Sequence, residues 1–357
     1  MSILIFIIIL AVLVLIHEAG HFFAAKKSGV KVEEFGFGFP PRLYGIKRGE
    51  TLYSINLIPL GGFVRLYQEE YHEEKKPDKK LKARAFIYKS PLAKAFIVTA
   101  GILGNVILAW VLLSYLLTQG VPVPTGHIFI DTVQPQSPAS IAGLQKGDKL
   151  IRFVVNKHTY QVSSTQEFVN DSKRFAGAPL ELEITRRNVS KTVFITPRKN
   201  PPKGQGAFGI IIGVHTVQRR YLWYEAPYAG LKETINRTEQ IVTGLFSTLG
   251  ELLRFQKPTA DVAGPIGIAR LTGKIVQYGF NSTLEFIAML SLNLAVINIL
   301  PFPALDGGRL MFVIYEWIFR RRMNKSVEQY ANLAGMIILL TLALIVSISD
   351  VAKIMHP

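Results

Sequence analysis

The chain begins with an apolar stretch that carries three residues able to build a metal-dependent active site. His17, Glu18 and His21 lie within Leu13–Lys27, which otherwise consists mainly of apolar residues. Because the two histidines are four residues apart, a helix places both imidazoles on one face, one turn apart. Two such imidazoles can bind one Zn²⁺, and the neighbouring glutamate is placed to take a proton from an attacking water molecule. The pattern predicts a metal-dependent hydrolase site. Packing of a polar cluster against another helix is the alternative.

A zinc ion held by two histidines needs at least one more protein ligand, with one position left for water. The chain contains no cysteine, so this ligand must be His, Asp or Glu. Asp306 is the only acidic residue between Glu285 and Glu316, in an apolar segment interrupted by two prolines and a glycine pair. These interruptions allow the carboxylate to turn inward. Asp306 is therefore a better candidate than His72, in a charged linker, or His356, near the end of the chain.

Asn293 and Asn298 lie in the same apolar segment as Asp306. Amide side chains are unusual in such a stretch, and two uses are open for them. They can form hydrogen bonds between helices, or they can pair with the backbone of an extended peptide held at the metal.

The composition indicates a membrane protein. Hydrophobic residues make up 49% of the 357 residues, and the mean hydropathy is +0.27. Lysine and arginine outnumber aspartate and glutamate by 41 to 25, which gives a net charge of +16. In so apolar a chain, this excess is typical of loops that face anionic lipid headgroups. No nucleic-acid-binding motif accompanies it, so we expect the lipid bilayer, and no nucleic acid, as a partner.

Four apolar stretches predict about four transmembrane helices, at residues 1–25, 92–118, 281–322 and 331–350. Gly101 and Gly104 predict that the second helix packs closely against a neighbour. The third stretch is too long for one straight span, and its prolines predict a broken helix. A cleaved signal peptide is the alternative for the first stretch, but no Lys or Arg precedes Lys26.

The flanking cations predict the orientation. They follow the first span, precede the second, and lie between the third and fourth: Lys26, Lys27, Lys79, Lys80, Lys82, Arg84, Lys89, Lys94, Arg320, Arg321, Arg322 and Lys325. With four spans, all of them fall on one side, which is then the cytosol. We therefore expect a multi-pass inner (plasma) membrane protein with both termini extracytoplasmic. His17 precedes Lys26 by about 14 Å of helix, so the active site lies inside the membrane, nearer the cytosolic face.

Residues 26–91 are predicted to hold a membrane-reentrant β-hairpin and a charged linker. Aromatic and β-branched residues lie on both sides of a Lys-Arg-Gly-Glu turn within Val32–Leu66, which indicates a hairpin. Its ends, which include Gly61, Gly62 and Phe63, are too apolar for an ordinary cytosolic loop. We therefore expect it to dip into the membrane, where protein or a water-filled cavity must cover its edges. A hairpin lying at the cytosolic interface is the alternative.

Residues 126–200 resemble a PDZ domain, on the pattern "SPA…AGL" followed by "KGD.LI". The resemblance implies an inserted extracytoplasmic α+β domain whose exposed sheet edge can bind a peptide ligand. A domain that only blocks access to the membrane core is equally open. Residues 201–280 are predicted to form an amphipathic helix, Ala226–Phe255, lying on the outer membrane surface or on the spans, and a turn at "GPIGI".

The order of the motifs resembles the site-2 proteases, a family of intramembrane zinc metalloproteases, and in particular the bacterial regulator-of-sigma-E type. "HEAGH", "PLGGFV", the PDZ-like segment, "GPIGI" and "NILPFPALDGG" follow one another along nearly the whole chain. The better-known enterobacterial type has two tandem PDZ modules, where this chain has one. The resemblance implies one Zn²⁺ per chain and these roles: ligands His17, His21 and Asp306; general base Glu18; substrate-positioning residues Asn293, Asn298, Gly61, Gly62 and Phe63.

The predicted function is an intramembrane zinc metalloendopeptidase. Its substrates would be single-span membrane proteins, such as anti-sigma factors or signal-peptide remnants, cut within or near the transmembrane helix. A catalytically silent membrane scaffold with a peptide-binding module is the alternative, but it would have no reason to keep Glu18 beside three ligands. A metal transporter would more commonly show several polar helices and repeated halves.

Overall fold

The computed structural model describes residues 2–69, 81–202, 204–254, 256, 263–321 and 323–355. The chain divides into two compact units. The helical unit combines Met1–Thr118 with Leu222–Pro357, and the sheet unit is Gln119–Tyr221. Some residues named above lie outside the described ranges: His72, Lys79, Lys80, Arg322 and His356.

The helices are α1 (Ser2–Lys27), α2 (Pro91–Gln119), α3 (Pro138–Ile141), α4 (Thr165–Arg174), α5 (Ala226–Leu253), α6 (Pro265–Gln277), α7 (Phe280–Ile299), α8 (Asp306–Phe319) and α9 (Lys325–Met355). The strands are β1 (Val32–Arg48), β2 (Thr51–Leu66), β3 (Val121–Val133), β4 (Lys149–Val155), β5 (His158–Gln161), β6 (Leu180–Arg186), β7 (Val189–Ile195) and β8 (Ile210–Arg219). Two short 3₁₀ helices, Lys82–Arg84 and Phe86–Tyr88, precede α2.

Among the described residues, four helices are long and apolar enough to cross a membrane: Ile3–Lys27, Pro91–Gln119, Phe280–Ile299 and Ser326–Lys353. The first of these, with 25 residues, extends about 38 Å, more than the ~30 Å thickness of a hydrocarbon core. The number agrees with the polytopic helical membrane protein that the composition predicts.

The third apolar stretch contains a helix break. α7 ends at Ile299, and α8 begins at Asp306. The two prolines between them cannot continue an α-helix, and they bias the residues before them towards extended backbone. The break folds tightly onto the start of α8, where a Cβ atom on Gly307 would overlap the carbonyl of Leu300. The Gly-Gly pair therefore lets the chain restart its helix at the aspartate.

β1 and β2 form an antiparallel hairpin that packs against α1. Its turn contains Gly49, whose φ of +62° favours glycine. The pairing register doubles back: Glu34 is paired with both Leu52 and Arg65, and Phe37 with both Ile55 and Gly62. Four short segments consequently lie side by side in the order 42–48, 51–56, 32–37 and 62–66. Re-entry of this hairpin into a membrane stays a prediction.

The sheet unit contains a six-stranded sheet in the order β7-β6-β4-β3-β8, with β5 paired to β4. Fully buried aliphatic side chains from β3, β4 and β6 form the centre of its core, including Ile130, Leu150 and Leu182. The compact unit extends beyond the predicted range of 126–200, because β8 pairs with β3 from Val121 onwards and so completes the sheet. The likeness to a PDZ domain stays a prediction.

Helix α5 packs through a face of small residues. Its buried residues are Ala226, Gly230 and Thr234, and the Trp110 indole of α2 donates a hydrogen bond to the Pro227 carbonyl, 2.8 Å away. Small side chains let helices approach closely, so they make the contact with the spans. Four residues of the predicted apolar face are exposed in the structure: Leu231, Ile235, Leu249 and Leu252. The predicted position of this face, on the outer membrane surface or on the spans, stays a prediction.

The "GPIGI" motif begins a helix, where the sequence predicted a turn. Pro265 is the first residue of α6, a position for which its fixed φ is suited. The Asp350 carboxylate of α9 accepts a hydrogen bond from the Gly267 amide at 2.7 Å. A carboxylate at a helix N-terminus satisfies free backbone donors and complements the helix dipole. The motif therefore joins α6 to α9.

Candidate metal centre

Three side chains from α1 and α8 meet at one point. His17 Nε2 lies 3.0 Å and His21 Nε2 3.3 Å from Asp306 Oδ2, and the two Nε2 atoms lie 3.1 Å apart. The histidines come from consecutive turns of α1, and the aspartate is the first residue of α8. The fold thus brings together the three residues that the sequence predicted as ligands.

The donor set fits a zinc ion. Two imidazole nitrogens and one carboxylate oxygen are typical of catalytic zinc sites, which leave a further position open. Asp306 Oδ2 is buried and makes no hydrogen bond within the described part of the chain, although two ring nitrogens lie close to it. Such an arrangement is unfavourable for a bare carboxylate, and a shared cation would relieve it.

Residues of helix α2 contact the Nδ1 atoms of both histidines. His21 Nδ1 lies 2.8 Å from the Ile97 carbonyl oxygen, to which it donates, and His17 Nδ1 lies 3.3 Å from the Asn105 side-chain amide. The approach is close because two glycines of α2 face α1. A Cβ atom on Gly101 would overlap His21 Nε2. The predicted close packing at this glycine is confirmed.

Glu18 lies between the histidines and the last segment of the hairpin. A Cβ atom on Gly62 would lie 3.0 Å from Glu18 Cγ, so the strand passes directly beside this side chain. Gly61 has a φ of +99°, and a Cβ atom there would lie 2.7 Å from the Phe39 ring. The segment 62–66 pairs with 32–37, and no described residue pairs with its other edge.

A cavity of about 530 Å³ opens at these residues. Its lining comes from α1, α2, α8, α9 and the hairpin, and includes His17, Glu18, His21, Gly62, Phe63, Val64, Arg65, Ile97, Asp306, Arg309 and Asn332. It is large enough to admit several residues of a peptide. The proposed ligands and general base thus share one accessible space with the hairpin edge.

Asn293 and Asn298 do not reach this cavity. The Asn293 side-chain amide donates to the Met289 carbonyl within α7 at 2.8 Å, and Asn298 is half-buried near the end of the same helix. Neither belongs to the lining. Their predicted contact with a substrate therefore stays a prediction.

Two residues of the site were not singled out from the sequence. Asn105 is fully buried beside His17, and Arg309 lines the cavity, where its guanidinium lies 2.7 Å from Glu69. Each is a polar residue inside an apolar stretch, which is an expensive placement. The sequence therefore contained a signal at both positions. The side chains that contact Asn105 and Arg309 depend on how the chain folds, which residue spacing does not show.

Comparison with known proteins agrees with the geometry. A model of the family described as "Peptidase family M50" matches residues 5–342. A protein of Clostridium perfringens, named as a candidate zinc metalloprotease, is 33% identical over 95% of both chains. The zinc metalloprotease RasP of Geobacillus kaustophilus is 29% identical over 99% of this chain and 98% of its own.

These matches extend over both units and include the three clustered side chains and Glu18. The predicted family, the predicted enzyme class and the predicted cofactor, Zn²⁺, are therefore confirmed. The chain belongs to peptidase family M50, the site-2 proteases, and is a zinc metalloprotease.

Proposed function

We propose that this metalloprotease cuts its substrates inside the membrane, within or near the transmembrane helix of single-span proteins. The observation that carries the proposal is the position of the site on α1. His17 and His21 lie in the helix Ile3–Lys27, which is apolar enough to span a membrane. A catalytic site on such a helix is reached most directly by a substrate that is itself in the bilayer.

The ligands are His17, His21 and Asp306, and the general base is Glu18. These residues would hold a Zn²⁺ ion, whose chemistry would be to polarise the scissile carbonyl and make water a better nucleophile. Glu18 accepts the proton of the attacking water and passes it to the leaving amide nitrogen. The Asp306 carboxylate supplies the negative charge that balances the cation. This assignment rests on the convergence of the ligand atoms and on the position of Glu18 in the same cavity.

The hairpin edge 62–66 receives the substrate backbone. A transmembrane helix hides its carbonyls in internal hydrogen bonds, so the stretch to be cut must unwind first. An unwound stretch can pair with an exposed strand edge, as in β-strand addition. Segment 62–66 has such an edge, lines the cavity and passes beside Glu18 at Gly62. Phe63 in this segment then faces the substrate.

The site lies nearer the cytosolic side, and both termini are extracytoplasmic. Lys26 and Lys27 close α1 shortly after His21, and the cation-rich ends mark the cytosolic face. The sheet unit is then outside the cell membrane. Its cleft of about 170 Å³ lies between α4 and β8, and its lining combines apolar residues with Lys173, Arg198 and Lys199. In this proposal the cleft receives a peptide ligand of the PDZ-like domain.

The test is co-expression with a tagged single-span protein, comparing wild type with Glu18→Gln and with the exposed control Glu239→Gln. We expect Glu18→Gln to lower the cleavage rate by about 10²-fold or more, while zinc content stays at the wild-type level. The Glu239→Gln control should cut normally. Cleavage by Glu18→Gln at the wild-type rate, or cleavage that persists in a strong chelator, would refute the proposal.

A further inference from the structure

The second ring nitrogen of a metal-binding histidine needs a defined partner. When Nε2 binds a metal, the imidazole proton must be on Nδ1, so Nδ1 becomes a donor. His21 satisfies this condition, because its Nδ1 faces the Ile97 carbonyl at 2.8 Å. His17 Nδ1 faces the Asn105 side chain at 3.3 Å, with the amide nitrogen nearer to it. That amide nitrogen is also a donor, so two donors would face each other.

The environment of Asn105 indicates the orientation that resolves this conflict. Its side chain is fully buried, and its Oδ1 makes no hydrogen bond within the described residues. The two ends of an amide group have almost the same shape, and their assignment depends on the hydrogen-bond network. Rotating the amide by 180° presents Oδ1 to His17 Nδ1–H. The buried oxygen gains a donor, and the histidine gains the acceptor that its metal-binding tautomer needs.

We propose that Asn105 is a positioning residue for the metal, with its amide oxygen accepting the Nδ1 proton of His17. The inference rests on the ligand assignment made above. It gives α2 a defined part in the reaction, since the partners of both histidines, the Ile97 carbonyl and the Asn105 amide, come from this helix. Asn105 itself touches neither the substrate nor the reacting atoms.

The distinguishing property is acceptor capacity at position 105. Leucine has nearly the shape of asparagine and cannot accept a hydrogen bond. Aspartate has the same shape and offers an acceptor oxygen whether or not it carries a proton. We therefore expect Asn105→Leu to weaken zinc binding by about 10- to 100-fold, the range found for lost partners of ligating histidines. Asn105→Asp should restore most of the affinity.

The measurement is zinc affinity by competition with a chelator, on the purified full-length protein in detergent. Ser291→Ala is the control: it removes a buried 2.8 Å hydrogen bond to the Asn105 backbone carbonyl and leaves the side-chain amide in place. We expect its zinc affinity to match the wild type. Equal losses in Ser291→Ala and Asn105→Leu would show that helix packing alone is responsible and would overturn the proposal.

Two further outcomes are decisive. If Asn105→Asp binds zinc as weakly as Asn105→Leu, the amide acts as a donor and the proposed orientation is wrong. If Asn105→Leu binds zinc like the wild type, Asn105 has no positioning role. Because this experiment measures zinc affinity, its outcome can be distinguished from the outcome of the cleavage test of intramembrane activity. Loss of zinc affinity in Asn105→Leu supports the inference even if Glu18→Gln fails to change cleavage.

Discussion

Both histidines proposed as ligands have close neighbours at the two nitrogens of the ring. The Nε2 atoms converge on Asp306, and the Nδ1 atoms face α2. His21 cannot rotate without losing its hydrogen bond to the Ile97 carbonyl, so this proposed ligand is oriented before a metal arrives. The precision of the site therefore depends on the closeness of α1 and α2, and that closeness depends on single glycines.

Gly101 provides a direct test of this dependence. A Cβ atom there would overlap His21 Nε2, so Gly101→Ala must displace the histidine or separate the helices. We expect zinc affinity to fall by about 10-fold or more, as for other changes that disturb ligand orientation. Chelator competition on the purified protein measures it.

The matched control for this substitution is Gly244→Ala. Gly244 lies in α5, and a Cβ atom there meets no atom of the described residues within 4 Å. Alanine is favoured over glycine in a helix by about 1 kcal/mol, so this variant should be as stable as the wild type and bind zinc normally. Wild-type zinc affinity in Gly101→Ala would show that α1 and α2 tolerate separation.

The proposed ligands were easier to predict from the sequence than the residues that contact them. His17, Glu18 and His21 follow from spacing on one helix, and Asp306 follows because few acidic residues lie in apolar segments. Asn105 was not recognised, because its role depends on the register between α1 and α2. Asn293 and Asn298 were assigned to the substrate by resemblance, yet neither reaches the cavity in this structure.

At the scale of elements, one buried carboxylate links the four segments of the hairpin. Glu34 accepts hydrogen bonds from Arg42 at 2.8 Å and from Ser54 at 2.7 Å, and Arg65 lies 3.3 Å from its other oxygen. These four residues come from the four adjacent segments of the doubled-back sheet. Glu34 thus links the proposed substrate-binding edge, 62–66, to the rest of the hairpin.

We expect Glu34→Gln to loosen that edge, because a neutral amide cannot bind both arginines as the carboxylate does. The Michaelis constant for a single-span substrate should rise several-fold, while zinc affinity stays unchanged. Steady-state cleavage assays and chelator competition measure the two quantities. Glu33→Gln, a neighbouring change on the same strand, is the control and should leave the Michaelis constant unaltered. A loss of zinc affinity in Glu34→Gln would contradict this division of roles.

The hairpin turn has a second, pH-dependent attachment. Glu50 accepts hydrogen bonds from Arg84 and Lys26, each at 2.7 Å, and these cations lower the pKa of Glu50 from its ordinary 4.5 to about 2. A lowered pKa in the folded state means that the carboxylate stabilises the fold above pH 4.5. This contribution is lost as the pH falls towards 2.

Hydrogen exchange at the turn measures this contribution in wild type and in Glu50→Gln. At pH 7 we expect the variant to exchange faster than the wild type, because the attachment to α1 is weakened. The difference should shrink between about pH 4.5 and pH 2, where the wild-type carboxylate becomes protonated. A difference that stays constant over this range would exclude Glu50 as the titrating group.

The elements show where periodicity is informative and where it is not. The turn at Gly49 was predicted from composition, since strand-forming residues flank it. The doubling-back of the pairing register was not predicted. Alternation of apolar and polar residues cannot indicate that Glu34 has strand partners on two sides. For α5, the apolar pattern did not distinguish the face that packs on other helices, which carries small residues, from a face open to lipid. In a membrane, lipid can cover leucines, and small residues make the helix contact.

At the scale of the whole molecule, the chain divides into two compact units. The helical unit carries every residue of the metal site, and the sheet unit has its own buried core. The number of spans was predictable, because about 20 apolar residues are needed to cross a bilayer. The limits of the sheet unit were not predictable. Its last strand, β8, is separated in sequence from its partner β3 by most of the unit, and only the fold brings the two strands together.

The separation of the ligands along the chain has a consequence for biosynthesis. His17 and His21 emerge from the ribosome early, whereas Asp306 is made only after both units are nearly complete. On the proposed ligand set, a nascent chain therefore has two ligands and lacks the third until α8 has been made. The same assignment predicts that the protease cannot cut neighbouring membrane proteins before α8 is in place.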